Sequence, residues 1–436
     1  MTKRLNLALI ALLLLLTASW ASARPYGYPI TDPFQATVVG TPEPLRPKLP
    51  ADIPVAEDSL VVFKDRKVPD YLWYDSRLRY SYVLQDKPAP LIFLIAGTGA
   101  SHDSAHMLMQ QRAFYQAGFH VVSLSSPTYP NFVVAASENS VVGNAEEDAQ
   151  DLYRVMQQIW KKLQKKHVEA TRFFLTGYSL GGFNAAFVAH LDSQKKVFDF
   201  SKVLLINPPL RLYSSISLLD RMLENIPGGL DNFPTYFNNI LTKFGAVYKK
   251  AKRLEFNEEF LAQAFQAMQP KNEELAALIG LSFRFASAHM AFTSDLMTDY
   301  GYVKPKNVHL TRNSDPNAPP GRYMNVVFRL GFTDYFHNFF YPYYKKKDPS
   351  LTRNKLIEEM SLTAIEDYLR QADNIEVMHN RNDLILEKGE IDFFPRVFGE
   401  RATIYPVGGH LGNMDYVENV AHMVGVFTEA TGGKSL

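Results

Sequence analysis

The chain has no cysteine. That absence excludes disulfides, thiolate metal sites and cysteine nucleophiles, so the protein must hold its fold by its core alone. Net charge is nearly absent as well: 46 basic residues stand against 45 acidic ones, a formal +1, and nothing here draws nucleic acid by bulk charge. Internal repeats are missing, and biased composition is confined to a proline-rich stretch near the start. The apolar run Leu5 to Leu16 falls short of the ~20 residues a membrane-spanning helix needs. Lys3 and Arg4 precede it, and Thr17-Ala18-Ser19-Trp20-Ala21-Ser22-Ala23 follows, with small residues where a signal peptidase reads. This predicts a secretory signal peptide over 1–23 rather than an uncleaved anchor. A lipid-anchored form would need a cysteine at the cut. The expected location is the periplasm, with secretion or anchoring by an uncleaved leader as alternatives.

What is present is aromatic and long. Removing 23 of 436 residues leaves 413, beyond the ~250 to 300 at which single cores stop growing, which predicts one large domain with a substantial insertion. Thirty Phe and 23 Tyr supply core or pocket lining. Residues 24–57 are rich in proline (Pro25, Pro29, Pro33, Pro42, Pro44, Pro47, Pro50, Pro54) and poor in periodicity, as suits an extended surface leader. Strand-like segments follow at Leu60 to Phe63 and Leu78 to Leu84, an antiparallel pair at a sheet edge. Pro90 to Ala96 and His120 to Leu124 are continuous apolar runs with a helical stretch from Ala105 to Ala117 between them. A helix over Asn144 to Lys166, acidic early and basic late, suits the helix dipole. Ser201 to Asn207 reads as a further buried strand. Strands alternating with helices predict an α/β fold, a mainly parallel sheet covered on both faces.

From Leu210 to about Gln371 that rhythm stops. Helical periods at Leu218 to Leu223, Tyr236 to Lys252, Glu258 to Met268, Glu273 to Phe285 and Leu356 to Leu369 predict a mostly helical cap over 210–371, inserted between catalytic-domain segments 58–209 and 372–436. Strands resume at Ile375 to Met378 and Ala402 to Tyr405, and a helix from about Met414 to Ala430 closes the chain.

The chemistry concentrates at Gly177-Tyr178-Ser179-Leu180-Gly181, where an apolar strand meets G-x-S-x-G and then a small-residue helix. A sharp strand-to-helix turn exposes the serine hydroxyl, and glycines two residues either side relieve the collision as the chain reverses. A serine nucleophile needs a base, and the base an orienting acid. His410 follows the last strand in Gly408-Gly409-His410, and Asp383 follows the preceding one; Asp373 and Asp392 are nearby competitors that follow no strand directly. The order Ser, Asp, His, the elbow and the strand context resemble the α/β-hydrolase superfamily, over about Leu60 to Ala430 without the cap.

The resemblance implies a serine hydrolase without a cofactor, in which Ser179 attacks a carbonyl, His410 shuttles the proton and Asp383 fixes the imidazole. It also implies an oxyanion hole from the backbone N–H groups of Leu180 and Thr98, although Ala96-Gly97 stands where His-Gly is frequent. Ser101 reads as a helix N-cap. His102 and His106 share a helix face, but no third ligand is evident, so they read as surface or active-site-rim histidines and no metal is expected. Tyr178 and the belt Phe332 to Tyr344, Phe339 and Phe340 above all, are candidates to line an acyl pocket; the belt could instead touch a membrane surface or only pack cap onto sheet. The expected substrate is a carboxylic ester or thioester, small or lipid-like, with an apolar acyl part. A peptidase or amidase and an acyltransferase would use the same triad, and a non-catalytic binding protein could keep the same fold.

Overall fold

The computed structural model describes residues 26–233, 235–236, 238–239, 271–312, 322–323 and 326–432. The predicted signal peptide, the helix Glu258 to Met268 and most of Tyr236 to Lys252 lie outside the described residues. The sheet is built around three runs too apolar for an exposed face. β3 (Ala89–Ile95), β5 (Ala170–Tyr178) and β6 (Lys202–Ile206) occupy its centre. Period-two alternation feeds two cores at once: Leu91, Phe93 and Ile95 enter one, while Ile92 and Leu94 enter the other. With β1 (Ala56–Leu60), β2 (Leu78–Val83), β4 (His120–Leu124), β7 (Ile375–Asn380) and β8 (Ala402–Tyr405) the order is β1-β2-β4-β3-β5-β6-β7-β8. β1 and β2 are antiparallel to their neighbours at one edge, and every other pairing is parallel.

Helices cover both faces. α1 (Pro33–Val39) precedes the sheet; α2 (Ala105–Gln116) and α3 (Pro130–Ala135) follow β3 and β4. α4 (Ala145–Gln164) begins where the Asn144 side chain accepts the N–H of Glu147, carries Glu146, Glu147 and Asp148 in its first turn and Lys161 and Lys162 in its last, and buries Leu152, Met156, Ile159 and Leu163. α5 (Leu180–Lys195) packs beside it. The opposite core is filled by Met107 and Phe114 of α2 and by residues of a C-terminal helix that include Val420, Met423 and Phe427.

Near the start of the chain, two segments differ from the sequence reading. The first strand is Ala56–Leu60, not Leu60 to Phe63. The proline-rich leader, expected to be an extended surface arm, forms α1 and a 3-10 turn at Glu43–Leu45 and buries Tyr28, Ala36 and Val38. Its prolines start helices: Pro33 takes the first turn of α1, where a missing N–H is harmless, behind an Asp32 side chain that accepts the N–H of Gln35.

The insertion contains α6 (Leu212–Met222), the long apolar α7 (Asn272–Thr298), α8 (Phe332–Tyr335), a π turn at Phe336–Phe340, α9 (Tyr341–Lys347) and α10 (Arg353–Glu359). It closes on itself at its base. Leu212 N–H donates to Met360 O at 3.0 Å and Leu362 N–H to Leu210 O at 2.9 Å. The excursion therefore closes at Met360, short of the expected end at Gln371, and α11 (Glu366–Gln371) returns to the sheet layer, packing on α12 (Phe393–Phe398). α13 (Val417–Thr431) ends the described chain.

Candidate active site

Ser179 is the single residue between β5 and α5, with φ 54° and ψ −125°. A residue with a Cβ occupies that region only when its surroundings impose it. They do so here because no side chain fits: a Cβ on Gly177 would overlap the Gly181 carbonyl, and one on Gly181 would overlap the Ile95 carbonyl. The turn is pinned by the Ser179 N–H, which donates to Ile206 O at 2.8 Å. The hydroxyl is then presented at the carboxyl end of the central strand, at the N-terminus of α5.

His410 Nε2 lies 2.9 Å from Ser179 Oγ, and its Nδ1 lies 3.0 and 3.1 Å from the two carboxylate oxygens of Asp383. All three side chains are buried. Asp383 also accepts the Asn207 side-chain amide at 2.8 Å and the Ile385 N–H at 3.1 Å. Burial would raise its pKa, but the neighbouring His410, with His379 and the Asn207 amide, outweighs that and holds the carboxyl below the ordinary range. Asp383 thus remains an anion facing Nδ1, as an orienting acid requires. Of its competitors, Asp392 lies at the surface, 3.9 Å from Arg381, and Asp373 is exposed in the turn before β7, at the opposite end of that strand from Asp383.

A second buried histidine supports the acid. His379 Nε2–H donates to Pro208 O at 3.0 Å, its Nδ1 accepts the N–H of Asn380 at 2.9 Å, and the ring stands 3.6 Å from Asp383. Burial pushes its pKa down. The histidine loop is tied to the end of β7 by an amide pair: Asn380 Nδ2 donates to Asn413 Oδ1 at 2.8 Å, and Asn413 Nδ2 to Asn380 Oδ1 at 2.7 Å. From the other side, the leader clamps it. His410 N–H donates to Thr37 Oγ1 at 2.9 Å, and Tyr28 and Thr41 hydroxyls donate to Gly412 O, each at 2.9 Å. Gly409, at φ 57°, leaves no room for a side chain against Pro33 O. Asn207, His379, Asn413 and Thr37 carry no motif of their own; only the proximity of Asn207 to the end of β6 could have singled it out.

An apolar cavity of about 80 Å³ opens onto Ser179. Thr98 and Leu180 line it beside the serine. Leu180 is the first residue of α5, so its N–H has no partner within the helix. The Thr98 loop is held by Gly99 N–H, which donates to Thr128 Oγ1 at 2.9 Å. Both predicted oxyanion residues therefore stand at the mouth of the cavity. Its far wall comes from the insertion, including Leu212, Leu219, Met290, Phe336 and Phe340.

The remaining predicted residues divide. Phe340 lines the cavity, whereas Phe339 is fully buried among Tyr300, Tyr302 and Tyr335 and does not reach it. Tyr178 points away from the cavity too: its ring packs behind Gly97, and its hydroxyl is 3.2 Å from Ser104 Oγ. The belt is largely interior, with Phe332, Tyr335, Phe336, Phe339, Phe340 and Tyr344 buried, so these rings are not offered to a membrane. Ser101 is not the helix cap: its hydroxyl donates to Asp103 at 2.5 Å, and Ser104 is the residue before α2. His102 and His106 are buried rather than at the surface, and His106 Nδ1 is 3.2 Å from Asp415.

The sheet order, the serine at the strand-to-helix elbow after β5, the acid after β7 and the histidine after β8 define an α/β-hydrolase fold. No family description and no curated protein matches the chain. Among solved structures it is similar to a bacterial membrane phospholipase A (16% identity, 99% of this chain and 100% of that one, TM-score 0.43). It is also similar to a thioesterase domain from the curacin biosynthetic pathway (10%, 86% and 99%, TM-score 0.39) and to an esterase from Pyrococcus furiosus (8%, 86% and 93%, TM-score 0.41). At such identities and TM-scores these likenesses add nothing to what the sheet order and the site already define.

Proposed function

We propose that the protein is an exported serine hydrolase that cleaves carboxylic esters or thioesters with an apolar acyl part through an acyl-enzyme. The observation that carries this reading is the continuous contact from Asp383 through His410 to Ser179, at 3.0 and 2.9 Å, opening on an apolar cavity. As His410 Nε2 takes the hydroxyl proton, Ser179 Oγ bonds to the carbonyl carbon, and the carbonyl oxygen becomes an anion at the Thr98 and Leu180 N–H groups. Collapse of this adduct breaks the bond to the alcohol oxygen or thiol sulfur, which receives the proton from His410. Water then repeats the sequence on the acyl-enzyme and restores the serine. Asp383 stabilises the imidazolium that forms in each half.

The apolar lining supports an acyl group rather than a charged side chain on the carbonyl side, since a charge there would lose its water without a partner. The experiment is labelling by a fluorophosphonate together with hydrolysis of a series of esters that share one alcohol and differ in acyl length. Wild type is expected to be labelled and to turn over; Ser179→Ala is expected to do neither, with an unchanged circular dichroism spectrum. Turnover by Ser179→Ala within about tenfold of wild type would overturn the reading, because loss of a triad nucleophile removes orders of magnitude.

A further inference from the structure

The serine and histidine stand between two cavities, one apolar and one whose mixed lining carries charge. Ser179 borders the apolar one. His410 borders a second of about 590 Å³, enclosed by the leader, the start of α2 and the histidine loop, whose charged lining comprises Arg46, Asp103, His106, Arg112 and Asp415. We propose that this polar cavity receives the alcohol part of the ester, and that this part carries an anionic group, a phosphate or a carboxylate, bound by Arg46 and Arg112. The inference rests on the hydrolase reading of Ser179.

Direction comes from the proton transfer. His410 Nε2 must reach the leaving oxygen, so the alcohol extends from the carbonyl toward the histidine while the acyl chain extends toward the apolar wall. Charge comes from who is already paired. Asp415 is engaged by His106 at 3.2 Å; burial would raise its carboxyl, but His106, and after it the charge of Arg46, hold it below the ordinary range. Asp103 accepts the Ser101 hydroxyl. Arg46 spends only its Nε, on the Thr41 carbonyl at 2.8 Å, and among the described residues neither Arg46 nor Arg112 is ion-paired. Two guanidiniums lining one cavity with donors left over can take a further anion, and the planar fork of donors fits phosphate or carboxylate. The same wall includes Ser104 and Ala105 at the N-terminus of α2, where Ser104 makes no side-chain cap and the helix dipole favours negative charge.

Two measurements test this independently. In calorimetry on the Ser179→Ala protein, glycerol phosphate is expected to bind saturably and glycerol not to bind. Adding Arg112→Gln, at a half-buried position that makes no hydrogen bond or ion pair among the described residues, should weaken glycerol phosphate by about tenfold or more, as loss of a hydrogen bond to a charged group does. Absence of binding, or equal binding after both Arg46→Gln and Arg112→Gln, would overturn the proposal; inorganic phosphate binding as tightly as glycerol phosphate would place a free-anion site there and overturn the assignment to substrate. In kinetics, wild type should prefer a monoacyl glycerol phosphate over the monoacyl glycerol of the same chain by about tenfold in kcat/KM, and Arg112→Gln should abolish that ratio. Hydrolysis of both esters without preference sinks this proposal and leaves the hydrolase standing. Hydrolysis of neither, without fluorophosphonate labelling, sinks the hydrolase, and the calorimetry still decides what the cavity binds.

Discussion

His410 is fixed at its ring by Asp383 and Ser179 and at its backbone by Thr37, a residue 373 positions earlier in the chain. Thr37 Oγ1 can accept the His410 N–H because its own proton goes to Pro33 O at 2.7 Å. Valine has nearly the same shape and no hydroxyl, so Thr37→Val leaves that buried N–H without its acceptor and frees the loop to drift. We expect kcat to fall by about tenfold with KM little changed, and Thr37→Ser to recover most of it; a Thr37→Val protein that lowers only the melting temperature would make Thr37 a packing residue. Asp383→Asn should cost far more, of the order of 10⁴ in kcat where the same change in a serine protease triad leaves the wrong tautomer, while Asp373→Asn and Asp392→Asn should be silent in the same assay. At this scale the sequence was informative where chemistry needs a motif. The elbow and the glycine-flanked histidine are local patterns. Asn207, His379 and Thr37 act through contacts made between distant segments, and a single side chain in a strand end or leader carries no periodic signal that would reveal them.

Elements explain why two adjacent phenylalanines have different fates. Adjacent residues of a helical run leave it in different directions, and within the π turn at Phe336–Phe340 the ring of Phe340 faces the cavity while that of Phe339 stacks on Tyr300 at 4.6 Å between centroids. Phe340→Ala should change selectivity among acyl lengths, measured as kcat/KM along the ester series, whereas Phe339→Ala should lower stability by about 3–5 kcal/mol in denaturant titrations without changing that selectivity. The opposite assignment of effects would reverse their roles. α4 holds the cavity from the other side. Asp148, one turn into the helix, accepts the N–H of Gly143 at 2.9 Å, and Val142 and Gly143 line the cavity. Burial pushes the Asp148 carboxyl well above its ordinary value, so its folded pKa exceeds its unfolded one. The stability it contributes is therefore complete below the ordinary carboxylate pKa, near 4, and is lost as pH rises through the raised value. Asp148→Asn keeps an oxygen for Gly143 and has no charge to bury; its melting temperature should exceed that of wild type by a margin that widens with pH. A margin constant from pH 4 to 8 would show that Asp148 is not the titrating group.

At the scale of the molecule, the parallel sheet was legible because its central strands are buried on both faces and read as unbroken apolar runs, as β3 does from Leu91 to Ile95. The leader was not, because its order is imposed from outside. Proline-rich sequence with little periodicity forms only one short helix, and what holds it is a set of contacts to the C-terminal region: Tyr26 donates to Asn419 at 2.7 Å and accepts from Asn413 at 2.7 Å, and its ring lies 4.8 Å from Tyr405 and 5.6 Å from Tyr416. The leader is thus docked across the C-terminal region, over the loop that carries His410. Such a segment has little structure of its own to lose and can detach before the sheet unfolds. We therefore predict that Tyr28→Ala, which removes a buried ring and the hydroxyl bond to Gly412 O at 2.9 Å, uncouples activity from the fold. The temperature of half-inactivation should drop by several degrees more than the melting temperature, since the leader leaves while the sheet remains, and hydrogen exchange should rise over residues 26–49 and the histidine loop but not over β3 or β5. If inactivation and melting instead shift together and exchange rises uniformly, the leader is one cooperative unit with the sheet and does not act on the histidine separately.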